Sequence, residues 1–180
     1  MKLLTEALTK FTCGLLMVGL MVFVPAGTLA YTNGWLLIAL LFAPMLIAGF
    51  VMFFKSPDFL AKRLDAKEKQ ATQKGVVAFS GLMFLVGFVV AGLDFRFGWF
   101  LLPKGVSIGA AVVFLVAYVL YAEVLRENTY LSRTIEVQEN QKVIDTGLYG
   151  IVRHPMYFAT VLLFLAMPLV LGSFISFVIY

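Results

Sequence analysis

Five stretches of this chain run for about twenty residues each with almost no charge, the length an α-helix needs to cross a bilayer core. They are Phe11–Ala30, Gly34–Phe54, Gly75–Leu93, Gly105–Leu125 and Phe158–Tyr180, and Glu123 is the one formal charge among them. Lipid offers backbone N–H and C=O groups no partner, so such runs fold as helices that satisfy themselves. The expected fold class is all-α: a polytopic integral membrane protein with about five transmembrane helices, the last either one kinked span or a hairpin. Composition closes off the soluble alternative, because 62% of residues are hydrophobic and only 13% are charged, against roughly 25% charged in soluble domains.

One membrane domain, 1–180, accommodates this pattern. Residues 1–54 form an N-terminal transmembrane hairpin around the turn Tyr31-Thr32-Asn33, and 55–75 a basic interfacial loop, helical in part, with Lys55, Lys62, Arg63, Lys67, Lys69 and Lys74. Residues 76–125 hold the third and fourth spans, and 126–180 a long polar loop with the final helix. If every run crosses once, the basic segments, Lys2 and Lys10 at the start and Arg126, Arg133, Lys142 and Arg153 later, all fall on one side. Positive charge marks that side as the cytoplasm, and the expected location is a bacterial inner membrane with the N-terminus inside. The other face receives the 31–33 turn and the loop Asp94–Lys104, whose Phe95, Phe97, Trp99 and Phe100 suit an interfacial belt.

The net charge of +4 sits in loops beside apolar runs, so it serves topology and no nucleic-acid partner is expected. Glu6 in the charged leader and the length of the following run favour a retained span over a cleaved signal peptide. The lone Cys13 reads as helix packing. Gly87 with Ala91 and Gly105 with Gly109 have the spacing that lets helices approach closely in lipid.

The stretch 126–157 is long for a connection in so compact a chain, and such loops tend to carry function. It ends in Val143-Ile-Asp-Thr-Gly-Leu-Tyr-Gly-Ile-Val-Arg-His-Pro-Met-Tyr157, which leads directly into an apolar helix. Pro155 is preset for a first helical turn, which places Arg153 and His154 at the mouth of that helix and Tyr157 just inside. The unsatisfied first-turn amides favour an anion. Gly147 and Gly150 allow close approach or unusual dihedrals on either side of Tyr149. Arg153, His154 and Tyr157 also have the types of a simple interfacial anchor. Further on, Pro168 and Gly172-Ser173 interrupt the last run, and Gly-Ser favours a helix stop near Leu171 followed by a short return helix.

Gly147-Leu148-Tyr149, a short spacer and Arg153-His154-Pro155-Met156-Tyr157, followed by Leu171-Gly172-Ser173, resemble the isoprenylcysteine carboxyl methyltransferases and their phospholipid methyltransferase relatives. Asn128-Thr-Tyr and Gln141-Lys-Val-Ile add to the likeness, which covers about fifty residues, Asn128 to Ser173. The resemblance implies an S-adenosylmethionine site between the polar loop and the helix mouth. Its lining would be Gln138, Gln141, Lys142, Val143, Ile144, Tyr149, His154, Pro155, Met156 and Tyr157, with Gly147 and Arg153 in support and the loop as the cofactor-binding element. It implies no metal. No residue is assigned as catalytic.

Methyl transfer needs alignment and water exclusion more than acid–base chemistry. A carboxylate is already nucleophilic at neutral pH, whereas an amine must lose a proton, and His154 is the only histidine. This tilts the expected acceptor toward a lipophilic carboxylate, an isoprenylcysteine-like substrate or other small lipophilic molecule reached through the bilayer. Phospholipid N-methylation and small-thiol S-methylation are the alternatives within the family, and a non-enzymatic scaffold or assembly subunit is the alternative outside it. A transporter is disfavoured by spans nearly free of ionisable groups. Family members continue with a further helix and a tail bearing Arg and paired Glu. Here no arginine follows Arg153 and no glutamate follows Glu139, so the expectation is a chain cut short or an enzyme without that closing element.

Overall fold

The computed structural model describes residues 2–64, 71–128 and 144–180. Its helices are α1 (Lys2–Ala26), α2 (Thr32–Lys55), α3 (Pro57–Leu64), α4 (Ala71–Phe97), α5 (Lys104–Glu127), α6 (Leu148–Ile151), α7 (Pro155–Leu171) and α8 (Phe174–Ile179). No strand occurs among the described residues, where one isolated bridge pairs Leu101 with Ser173. Four helices are long and apolar enough to cross a membrane, α7 is a shorter apolar one, and the protein is an all-α polytopic membrane protein. Their outward faces agree: Phe54, Phe79, Val119 and Ile47 are each at least 66% exposed. In water each such side chain would forgo about 1.5–3 kcal/mol of burial, a loss that lipid removes.

The helices alternate in direction, so their ends gather into two clusters. At the turn end lie the C-termini of α1, α4 and α7 and the N-termini of α2 and α5. Tyr31 Oη donates to Leu171 O at 2.5 Å, and Asn33 Nδ2 donates to Ser107 Oγ at 3.2 Å. Burial first, then the nearby Asp94, pushes the Tyr31 phenol well above its usual range. At the site end, Lys10 Nζ donates to Leu64 O at 2.7 Å, and Arg63 reaches Tyr121 Oη at 2.8 Å. The core between them includes Val22, Leu37, Phe114 and Val170. α5 and α7 pack along each other antiparallel, and α1 lies beside α4.

The turn at Gly172-Ser173 is present. Gly172 takes φ +76°, a left-handed conformation that suits glycine. An added Cβ there would lie 2.7 Å from Asn33 Nδ2. Ser173 caps α8 by accepting from Ser176 N at 3.1 Å, and α8 then runs back along α4 until Tyr180 meets Phe84 edge to face and Phe88 at a tilt.

Several expectations are corrected. α1 begins at Lys2 and α4 at Ala71, so the helices extend beyond the apolar runs into their polar flanks, and α4 starts inside the expected 55–75 loop. The same segment holds α3, which agrees with its reading as an interfacial loop that is helical in part. Asp94 is not a loop residue: α4 continues to Phe97, and Asp94 is fully buried, accepting from Ser173 Oγ at 2.5 Å and Phe100 N at 2.8 Å. Phe95 is not on the exposed belt but stacks on Tyr31 with ring centres 4.2 Å apart, while Phe97, Trp99 and Phe100 are exposed. Cys13 is exposed instead of packed between helices. Gly105 and Gly109 face open space, whereas the close approach expected at Gly87 is present, an added Cβ there meeting the Tyr180 ring of α8, and Gly92 makes another, where a Cβ would come 2.6 Å from Val22 O.

Candidate functional site

The chain re-enters the described structure at Ile144 and, after Asp145 and Thr146, reaches Gly147 at φ +54°, ψ −125°. A side chain is strained in that backbone region, and there is no room for one, since an added Cβ would overlap the Glu127 carboxylate. Glu127, the last residue of α5, accepts from Leu148 N at 3.2 Å. Its neighbour Asn128 donates from Nδ2 to Tyr149 Oη at 3.0 Å. The short helix α6 is thereby fastened to the end of α5, with Tyr149 half-buried.

Val152 is extended and Pro155 opens α7 at its first position, where a missing N–H costs nothing. Pro155 is buried, Met156 half-buried, and Arg153, His154 and Tyr157 are exposed. The His154 side chain does not cap the helix. Its ring lies 5.4 Å from that of Tyr157, tilted by 37°. Thr160 Oγ1 donates to Met156 O at 2.8 Å, which steadies the first turn. Because α7 packs against α5, the latch at Glu127–Asn128 and the ring pair at His154–Tyr157 belong to one end of the bundle. Nearby, Arg126 and Glu123 pair on the surface of α5 at 2.6 Å.

Of the twelve residues the sequence singles out, Gly147, Tyr149, Arg153, His154, Pro155, Met156 and Tyr157 lie along α6 and the start of α7, and Ile144 precedes them in the chain. Gln138, Gln141, Lys142 and Val143 lie outside the described residues. Gly150 sits in α6 without a positive φ, and an added Cβ there would lie 3.0 Å from Asp145 O, a close backbone approach. Sequence reasoning missed the latch role of Glu127. No local signal marks it, since its contact reaches across 21 residues.

Four helices long and apolar enough to span and a shorter fifth with a hairpin return define an integral membrane protein, with a polar helix mouth at one end of the bundle. Residues 105–180 match the family model described as Phospholipid methyltransferase. The match runs from α5 through α8, contains every described residue of the mouth, and bears out the membrane methyltransferase resemblance. No curated protein and no solved structure gave a match.

Proposed function

We propose that the protein is an S-adenosylmethionine-dependent methyltransferase acting at the membrane surface on a lipophilic acceptor, with the cofactor held at the α7 mouth. The observation that carries this reading is the α6 latch, which fastens Tyr149 to the end of α5 at the same bundle end as the exposed His154–Tyr157 pair. The described residues fit the cofactor. Aromatic faces of Tyr149, His154 and Tyr157 suit a sulfonium or a purine, and the first-turn amides of α7 suit a carboxylate.

When bound, S-adenosylmethionine supplies an electrophilic methyl group on a positive sulfur. The protein's share is alignment and exclusion of water: Pro155 fixes the direction of α7, Thr160 steadies its first turn, and Glu127 holds α6 in place. Tyr149 and Tyr157 wall the mouth. Glu123 and Glu127 at the end of α5 are engaged with Arg126 and Leu148 N, whereas Asp145 is exposed beside the mouth. With two of these three carboxylates engaged, the balance favours an acceptor that is nucleophilic without a base, a carboxylate such as that of an isoprenylcysteine. The family match favours the second reading, a phospholipid amine.

Calorimetry on the purified protein in detergent tests the cofactor site. Wild type should bind S-adenosylmethionine, with His154→Ala and Tyr157→Ala roughly three- to tenfold weaker, the size of one lost aromatic contact. No binding by the folded wild type would sink the proposal. The acceptor is read from methyl transfer to a prenylcysteine and to phosphatidylethanolamine vesicles, since a methyl ester releases methanol in base and an N-methyl group does not.

A further inference from the structure

Asp94 is the one charged side chain among the buried described residues, and it lies at the turn end, 0% exposed, away from the cofactor mouth. An ionisable group at such a place in a membrane protein asks for a named partner. Its hydrogen bonds define its form. Phe100 N donates to Oδ1 at 2.8 Å and Ser173 Oγ to Oδ2 at 2.5 Å, while Ser173 Oγ itself accepts from Ser176 N at 3.1 Å. Each carboxyl oxygen therefore receives a proton, and among the described residues neither has an acceptor to give one to, which is the bonding of a carboxylate. Yet among the described residues Asp94 makes no ion pair. Arg96, two residues on, is exposed with its guanidinium against Gly27, and Lys104 is exposed at the start of α5.

A buried charge without a counterion is costly, and the surroundings of this one suit a cation. The C-termini of α4 and α7 both end here, and a helix C-terminus is the negative end of its dipole. Oxygen is plentiful: beyond the carboxylate and Ser173 Oγ stand Tyr31 Oη, Ser107 Oγ and Leu171 O, a C-terminal carbonyl that accepts from Tyr31 Oη at 2.5 Å and Asn33 Nδ2 at 3.3 Å. The Asp94 charge acts on the Tyr31 phenol, so the two groups are neighbours. Broken helices hold small cations with such ends and carbonyls, and Gly172 supplies the break at φ +76°. The donor set selects the ion. Among the described residues no three of His, Cys, Asp or Glu come together, whereas hard oxygens with one formal charge balance a monovalent ion and not a divalent one.

We infer that the turn end binds a sodium ion, held by the Asp94 carboxylate and Ser173 Oγ with Leu171 O and Tyr31 Oη beside them, and that the ion locks the α7–α8 turn to the end of α4. The site is independent of methyl transfer, and its test reads neither activity nor cofactor. The full chain in detergent, exchanged into choline chloride, is titrated with sodium chloride at constant chloride while thermal unfolding is followed. The unfolding temperature should rise by roughly 3–6 °C at tenfold the dissociation constant. Equilibrium dialysis against radioactive sodium should give one ion per chain over the same range. Asp94→Asn should abolish both responses, and Ser173→Ala should raise the midpoint concentration roughly three- to tenfold. If Asp94→Asn does not fold, dialysis of the wild type and Ser173→Ala still decides. No sodium bound by the wild type, or one unfolding curve for sodium and choline, would overturn the site. A response to magnesium as large as that to sodium would sink the monovalent assignment, and full sodium binding by folded Asp94→Asn would remove Asp94 as the ligand.

Discussion

Gly147 and Glu127 occupy one space between them, and neither can be changed without the other registering it. At Gly147 an added Cβ meets two separate obstacles, a positive φ of +54° and the Glu127 carboxylate. The backbone strain costs about 1–3 kcal/mol for a non-glycine residue, and the overlap adds to it unless Glu127 moves and releases Leu148 N. Gly147→Ala should therefore lower both the unfolding temperature and the affinity for S-adenosylmethionine, while Glu127→Ala should cost only about 1 kcal/mol for its hydrogen bond. The double variant should cost less than the sum, because removing the carboxylate clears the overlap and leaves the strain. Thermal unfolding and calorimetry on all four proteins check this, and strict additivity would show that the two residues do not share the space. Half of this pair was legible: a glycine before a helix mouth is a standing candidate for an unusual dihedral. Its partner was not, because sequence carries no register across the long connection between α5 and α6.

Elements begin and end where hydrogen bonds allow, not where lipid does, and hydropathy reports only the second. This is why α1 and α4 outrun their apolar stretches, and why Asp94 reads as a loop residue in the sequence yet lies buried inside α4. Its carboxyl holds together the end of α4, the following loop and the α7–α8 turn through Phe100 N and Ser173 Oγ. The Gly-Ser stop signal marks the turn itself, but nothing in the sequence joins Asp94 to a serine 79 positions away. Asp94→Ala leaves the buried Ser173 hydroxyl and the part-buried Phe100 N–H without their acceptor and should destabilise the protein by about 2–4 kcal/mol. Asp94→Asn retains one acceptor oxygen and should cost about half as much. Ser173→Ala loses the contact to Asp94 and the cap on Ser176 N, for about 1–2 kcal/mol. Unfolding in mixed detergent micelles measures all three. Equal cost for Asn and Ala at Asp94 would mean that the hydrogen bonds contribute nothing, and a loss of cofactor affinity would mean that the two ends of the bundle are coupled.

At the scale of the whole molecule the two ends differ in charge, and this asymmetry should set how the protein sits in a membrane. The site end carries Lys2, Lys10, Lys55, Arg63, Arg126 and Arg153, whereas the turn end carries Arg96 and Lys104 with the exposed aromatics Phe97, Trp99 and Phe100. Basic residues flanking spans are retained on the cytoplasmic side, so the mouth should open to the cytoplasm, the compartment that would supply a soluble methyl donor. Labelling tests this directly because Cys13 is the only cysteine. In a Cys13→Ala background, Trp99→Cys places a thiol at the turn end and Asp145→Cys places one beside the mouth, both at exposed positions. A membrane-impermeant maleimide applied to intact bacterial cells should modify the first and spare the second, and permeabilised cells should give both. The reverse pattern would overturn the orientation, and with it the supply of cofactor from the cytoplasm, because the α7 mouth would then face the compartment outside.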